Sequence, residues 1–333
     1  MSTTTGGEED RSSSPAGPPV SHTPFSHTPY DGSARPFSVG LQPLDLADWI
    51  EPDARLAEQL DEKERLLAGG GEAPVLLAEE GTESAQQEVL DLLSQHLPNR
   101  FPDLYRREGT AIRILPTGRV IDLAEPGDIP LARAARLVQE DLILMRASPQ
   151  GYRLAAGALC FPSSWSLTDK FSRPMTAIHE TVPGFNDGRM GPMVARIFDN
   201  LPVERPSWRL NWSLYTGPAL HRPFPKRIAA DGTDPHRLAR DEAGGLHVRV
   251  ERQTLRRLPQ SGDILFTIRI HHDPVAAFAR HPQGSELAQG LRRQLLELDA
   301  AQAAYKGLAA DRDAIAAALE SLAASLAPSR SPA

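Results

Sequence analysis

The chain has 333 residues, enough for two ordinary domains or one large one. Hydrophobic residues make up 40% and charged residues 24%, with a net charge of -7, which describes a soluble globular chain and argues against non-specific nucleic-acid binding. A lone cysteine, Cys160, excludes an intrachain disulfide and any all-cysteine zinc or iron–sulfur site. No apolar run approaches the roughly 18 residues that span a bilayer, and the N-terminus lacks a basic segment followed by an apolar core. No membrane partner and a cytoplasmic location are therefore expected.

Residues 1–38 are rich in Ser, Thr, Pro and Gly and are expected to form a disordered tail, with His22 and His27 solvated and without chemical role. Order is expected from Val39. A first helix begins at Pro52, places Leu56, Leu60 and Leu67 on one face, and ends at Gly69-Gly-Gly71. Val75–Ala78 reads as a short strand. Ser84 with Gln87 resembles a capping box for a helix that carries Val89, Leu90, Leu93 and Leu97, stopped by Pro98. Ala111–Leu115 and Arg119–Leu123 flank Pro116-Thr-Gly118 as a hairpin.

From Pro130 to Met145 the apolar spacing predicts an amphipathic helix, with Gln139, Glu140 and Asp141 on its solvated side. Tyr152–Phe161 is apolar almost without a break towards its end and reads as a strand buried on both faces. Gly191–Leu201 reads as a helix. Trp208–Thr216 alternates, with Arg209, Asn211 and Ser213 on one face. Residues 218–245 are loop-like. Leu246–Leu258 alternates again, His247, Arg249, Glu251 and Gln253 sharing a face, and Ser261-Gly-Asp263 turns it into Ile264–Ile270. A helix runs from Ser285 to about Tyr305, and an alanine-rich helix after Gly307 frays into a Ser/Pro tail within residues 311–333. Helices around locally joined antiparallel strands make the class α+β.

No G-x-G-x-x-G follows a strand, and no Walker-type loop, G-x-S-x-G, H-E-x-x-H or C-x-x-C-H is present. What remains is His179, set beside Ile178 between Pro174 and Pro183-Gly184. By residue chemistry alone such a histidine is more often a core or turn residue than a ligand, and His247, His271 and His272 are rivals. Cys160 reads as a small core residue, because apolar neighbours raise a thiol pKa.

Several segments in order resemble the haem-dependent oxidative N-demethylase family. They are Leu41-Gln-Pro-Leu44 with Asp48-Trp49, Ala135–Leu142, Cys160-Phe-Pro-Ser-Ser-Trp165 with Asp169-Lys170, and Arg173-Pro174 with Ile178-His179. Val182–Asn186, Arg209-Leu-Asn-Trp212, Val250–Pro259, Ile264–Arg269 and Tyr305–Leu308 continue the match, over roughly 39–310. Ser172 stands where the pattern has Gly, and Glu180 and Thr181 follow the histidine.

The resemblance implies a PAS-like antiparallel sheet with helical extensions, binding non-covalent haem b between the sheet and a short helix. His179 would be the axial ligand, with Lys170 and Arg173 either pairing with haem propionates or forming surface ion pairs. It also implies oxidation of a small secondary amine by O2, releasing formaldehyde. On the polar strand faces Glu251 would accept the amine, with Asn211 or Arg249 as donors; the same residues are otherwise ordinary solvated strand positions. With neither a cysteine cluster nor a dinucleotide fingerprint in the chain, electrons are expected from a flavin or iron–sulfur reductase subunit. A haem-based gas or redox sensor and a catalytically silent binding subunit are the alternatives, since a fold alone does not settle function.

Overall fold

Alternation along 207–216 and 246–257, and the near-continuous apolar run of 142–145, supply strands of two kinds, one with a polar face and one buried on both sides. The computed structural model describes residues 23–32, 37–225, 239–240 and 244–327. Its strands are β1 (Gln42–Pro43), β2 (Leu76–Ala78), β3 (Tyr105–Glu108), β4 (Ala111–Ile114), β5 (Arg119–Asp122), β6 (Asp141–Ser148), β7 (Gly151–Ala158), β8 (Ser207–Thr216), β9 (Leu246–Arg257) and β10 (Ile264–Pro274). Seven of them form one antiparallel sheet in the order β1-β8-β9-β10-β6-β7-β2, and β3-β4-β5 form a smaller one. The helices are α1 (Leu56–Arg65), α2 (Glu83–Arg100), α3 (Pro130–Ala135), α4 (Leu167–Lys170), α5 (Met175–Ile178), α6 (Met190–Asn200), α7 (Gly284–Glu297), α8 (Ala300–Tyr305) and α9 (Arg312–Leu326). The class is α+β, as expected.

One face of the large sheet is covered by two groups of helices. Trp212, Leu214, Val248 and Val250 pack against Leu291 and Leu295 of α7 and Leu319 of α9, while Leu142, Leu144 and Leu265 pack against α1, α2 and α3. The other face, with Leu154, Leu255, Ile264 and Ile268, is covered by the chain from Leu159 to Leu201, including α4, α5 and α6. Each buried Leu, Ile or Phe contributes about 1.5–3 kcal/mol.

The structure departs from the sequence expectations at five places. The helix expected over 130–145 ends at Ala135, and residues 141–148 form β6, between β10 and β7. A strand buried on both faces carries the same unbroken apolar run as a buried helix, so periodicity could not separate them. Gln139, Glu140 and Asp141 are consequently buried rather than solvated. Gln139 Oε1 accepts from Asp53 N at 3.0 Å, Glu140 Oε1 accepts from Glu51 N at 3.0 Å, and Lys63 Nζ donates to the Val138 and Glu140 carbonyls.

The first helix starts at Leu56, four residues after Pro52, because residues 53–56 form a turn, with Asp53 Oδ1 accepting from Arg55 N and Asp53 O from Leu56 N. α1 runs on into a π-helical turn, Leu66–Gly70, which Gly69 breaks with a left-handed φ of 89°. Thr82, not Ser84, precedes α2; its hydroxyl donates to Glu79 O and accepts from Gln86 Nε2, so the expected capping box is absent. Pro98 lies inside the last turn of α2, where its missing N–H costs one terminal hydrogen bond. The helix expected from 285 to 305 breaks after α7. Asp299 starts α8 with a capping box to Gln302, its carboxylate accepting from Gln302 N at 2.8 Å.

The N-terminal segment is the fifth. Residues 23–32 pack onto the domain, with Phe25 and Tyr30 buried against α7 and Phe278, and Gly290 of α7 lets the backbone approach: a Cβ there would lie 2.6 Å from Tyr30 O. Two buried aromatic side chains, with hydrogen bonds from Phe25 N to Asp273 and from Gln294 to Pro29 O, anchor a segment whose composition is otherwise that of a tail. His27 is not solvated and free but hydrogen-bonded to Glu51. His22, most of the 218–245 loop and the Ser/Pro end lie outside the described residues.

Candidate functional site

The free edge of β7 beyond β2 is where the site begins. Ser172 N donates to Leu154 O at 2.9 Å and Leu154 N to Arg173 O at 3.2 Å, so residues 172–174 add to the sheet and deliver α5 onto β7. Ser172 adopts φ 60°, the left-handed region that favours Gly. Its hydroxyl donates to Glu79 Oε1 at 2.7 Å.

Pro174 occupies the N-cap of α5 and His179 its C-cap. His179 Nδ1 lies 2.9 Å from Met175 O, and because a carbonyl only accepts, Nδ1 carries the proton and donates it. The ring stacks on Phe185 with centroids 4.2 Å apart and planes 12° apart. Burial pushes the imidazole pKa down to about 4, with the charges of Lys170 and Arg209 acting in the same direction, so the ring is neutral at neutral pH. The outcome is one tautomer in one orientation, with Nε2 hydrogen-bonded to nothing among the described residues. Ligating histidines are commonly fixed in this way, by a bond from the other ring nitrogen. Glu180, which follows the histidine, pairs with Arg173 at 3.6 Å and leaves the imidazole alone.

The polar face of β8 and β9 supplies the rest. Register places Asn211 opposite Glu251, Arg209 opposite Gln253 and Ser213 opposite Arg249. Glu251 is buried and accepts at Oε2 from Gln253 Nε2 at 2.8 Å and from Asn211 Nδ2 at 3.4 Å. Burial alone would raise its pKa, but a hydrogen bond from Ser163, the Arg249 charge and the Asn211 and Gln253 bonds hold it below the usual carboxylate range. It is therefore an ionised carboxylate inside the protein. Glu251 and Asn211, both singled out in the sequence, are thus in direct contact.

Arg249 is also buried, but all its bonds go to the chain itself. Nε donates to Ser163 Oγ at 2.9 Å, Nη1 to Leu220 O at 3.0 Å, and Nη2 to Phe161 O at 2.5 Å and Pro162 O at 3.3 Å. It holds the 161–163 turn over the sheet, and with it the Ser163 hydroxyl beside Glu251. Asp141 braces that turn from behind, accepting from Cys160 N at 2.7 Å and Phe161 N at 3.0 Å.

Lys170 lies with Nζ 4.1 Å from the Trp165 ring centroid, and burial pushes its pKa down to about 8, opposed by the charges of Glu251 and Asp169. Arg173 is exposed and engaged by Asp169 O and Glu180. Arg209 is half-buried, and its Nε is shielded from solvent with no hydrogen-bond partner. Its pKa is lowered by burial against the opposing charge of Glu251.

Of the rival histidines, His247 Nδ1 donates to Gly245 O and His271 bonds Glu51, while His272 is buried with both ring nitrogens unbonded and packs edge-on against His247 at 4.8 Å. Cys160 is buried, and its thiol is pushed up to about 12 by burial, which fits a core residue. Ser163 and Arg209 are the site residues that sequence reasoning left without a role of their own, although both lie inside segments that carried the resemblance. Tyr305, pushed up to about 12 by burial with the Glu251 charge adding, is a third.

An α+β fold with a fixed neutral imidazole at the end of one short helix, near an ionised buried carboxylate and two partly buried cations, can hold an anionic, metal-bearing group beside a polar ligand. The family model for haem-dependent oxidative N-demethylase, alpha subunit-like, matches residues 40–316, and the chain belongs to that family. The residues present fit haem: His179 Nε2 is free to ligate iron, Arg209 Nε is buried without a hydrogen bond, and Arg209 and Lys170 together would offer cations to the propionates. No helix among the described residues is long and apolar enough to cross a membrane. The alpha-subunit description implies partner subunits.

Proposed function

We propose that this chain is the haem-binding catalytic subunit of an oxidative amine N-demethylase, with His179 as axial ligand to non-covalently held haem b in a PAS-like domain. The observation that carries this reading is the His179 imidazole, neutral, with Nδ1–H donated to Met175 O and Nε2 free. Haem, when bound, supplies the one-electron iron chemistry that activates O2. Overall, an N-methyl secondary amine, O2, two electrons and two protons give a carbinolamine and water. The carbinolamine O–H then loses its proton as the C–N bond breaks with its electron pair to nitrogen, leaving formaldehyde and the shorter amine.

This chain's residues bind and orient. The Glu251 carboxylate accepts the N–H of the amine, which is protonated at neutral pH, and Asn211 Nδ2, now turned to Glu251, is the donor beside it. Arg249 acts through the 161–163 turn, since its own N–H groups are engaged. Lys170 and Arg209 would pair with the propionates, and Arg173, exposed and paired with Glu180, would be available to them from the surface. Trp165, Phe171 and Ile178 exclude water around them. Electrons come from a flavin or iron–sulfur reductase subunit through a docking encounter of the small, transient kind, in the cytoplasm.

The test has two parts. His179→Ala should lose haem or its axial-ligand spectrum while His247→Ala keeps both; an unchanged His179→Ala spectrum moves the ligand elsewhere. The haem-loaded chain with NADPH, air and amines should release formaldehyde only when a reductase is added. Failure with a competent reductase and a range of amines would favour the sensor or the silent subunit.

A further inference from the structure

On the sheet face opposite Glu251, three side chains from distant parts of the chain meet. His271 pairs with Val250 across β9 and β10, whereas Glu251 pairs with Ile270, and successive strand residues point to opposite faces. His27 comes from the packed N-terminal segment and Glu51 from the approach to α1. Glu51 Oε2 lies 2.9 Å from His27 Nε2 and 3.1 Å from His271 Nε2, and the three atoms all lie within 4.8 Å of one another.

We propose that His27 Nε2, Glu51 Oε2 and His271 Nε2 form a second metal site, for a borderline divalent transition-metal cation of which Zn2+ is the representative. Zinc–ligand bonds of about 2.0–2.1 Å set the ligand atoms of a tetrahedral site about 3.3 Å apart. The two edges through Oε2 are within a few tenths of an ångström of that value, and a turn of the half-buried partner, His27, would close the third. Two imidazoles with one carboxylate suit Zn2+ and its neighbours in the first transition row, and not Ca2+ or Mg2+, which take oxygen sets.

The carboxylate is held ready. Arg252 Nε binds Oε1 at 3.1 Å, which leaves Oε2 to the imidazoles. The Glu51 backbone is fixed on both sides, its N–H by Glu140 Oε1 and its carbonyl by Arg269 Nε, each at 3.0 Å. A surface pocket of about 370 Å³, lined also by Thr23, Ser26, Asp48 and Asp53, opens onto the three ligands, so a cation can enter and keep a water as fourth ligand. A bound ion would tie the N-terminal segment to the sheet, two residues from buried Phe25 and three from buried Tyr30.

The experiment uses the full-length, haem-loaded protein, stripped with a chelator, desalted and titrated with Zn2+ against a chromophoric zinc indicator, with zinc and iron counted separately by elemental analysis. One equivalent of zinc per chain is expected beside the haem iron, together with a rise in thermal midpoint. His27→Ala and His271→Ala should each weaken binding at least tenfold and abolish the rise, while His281→Ala, outside the cluster, should match the wild type. The haem spectrum should be unchanged in His27→Ala, which lies in a surface segment and shows that lost zinc is not lost fold. No zinc in the wild type, or equal zinc in His27→Ala, would overturn the proposal and leave the cluster a hydrogen-bonded clamp only. Neither outcome touches the His179 assignment.

Discussion

Replacing Glu251 by Gln removes one charge and almost no volume from the proposed amine site. The amide keeps an acceptor oxygen for Gln253, now at 2.8 Å, and for Asn211 at 3.4 Å, and its new NH2 can donate to the Ser163 hydroxyl. The local network therefore survives. What is lost is the charge. A hydrogen bond to an ionised group contributes about 1.5–3 kcal/mol, so amine affinity should fall about 10- to 150-fold. Nearby cations feel the same loss, because the Glu251 charge supports protonated Lys170 and Arg209; the Lys170 ammonium should titrate lower than about 8. The assay is an amine titration read by perturbation of the haem absorption band, at fixed haem content, in both proteins. An affinity within twofold of wild type, with haem content equal, would refute the assignment of Glu251 to the amine.

Three further outcomes follow from the scaffold of the site. Ser172→Val should destabilise the protein by about 1–2 kcal/mol relative to Ser172→Gly, the usual penalty for a side chain held in the left-handed region, as measured by urea denaturation. Arg249→Met should cost about 3–5 kcal/mol, because it strands buried carbonyls at Phe161, Pro162 and Leu220, and haem content should fall with it. Asp141 is pushed by burial up to about 6 from 3.8, so the native state binds its proton more tightly than the unfolded chain. Its contribution to stability should therefore fall as pH rises from about 4 to about 6, by about 3 kcal/mol in total, and the difference between wild type and Asp141→Asn across that window should show this slope.

The alternating strands were legible from sequence because each has one polar and one apolar side. β8, β9 and the 261–263 turn are where the pattern placed them, and so is the shared face of Arg209, Asn211, Glu251 and Gln253. The short helix of His179 was implied by the family resemblance; Pro174 does cap its start, but it ends at Ile178, well before Pro183-Gly184. β6 was not, because a central strand buried on both faces has no period of its own. The packing of residues 23–32 was not either: Phe25 and Tyr30 are too few to signal a fold, and their partners lie about 250 residues away. Nor could composition show that Arg249 spends its donors on backbone carbonyls, since a strand arginine reads the same whether it faces ligand or loop.

These misreadings share a cause that bears on how the site works. The polar run at 139–141 looked solvated because three adjacent polar residues usually are, and burial of such groups occurs only when each finds a partner. Here each does, through segments remote in sequence: Gln139 to Asp53, Glu140 to Glu51, Asp141 to the amides of Cys160 and Phe161. The last of these begins a chain of contacts. Asp141 fixes the 160–161 backbone, Arg249 grips the carbonyls of Phe161 and Pro162, and the same guanidinium holds Ser163 Oγ at 2.9 Å. Ser163 in turn hydrogen-bonds Glu251, whose carboxylate also receives Gln253 and Asn211. A carboxylate that is to meet an amine must stay ionised without solvent, and a buried charge is tolerated only where oriented donors replace water. Asp141 thus supports the Ser163 donor through the 160–161 backbone and Arg249, while Gln139 and Glu140 brace the approach to α1. Each of the three is buried on a partner remote in sequence, which is why a reading confined to local pattern puts them on the surface.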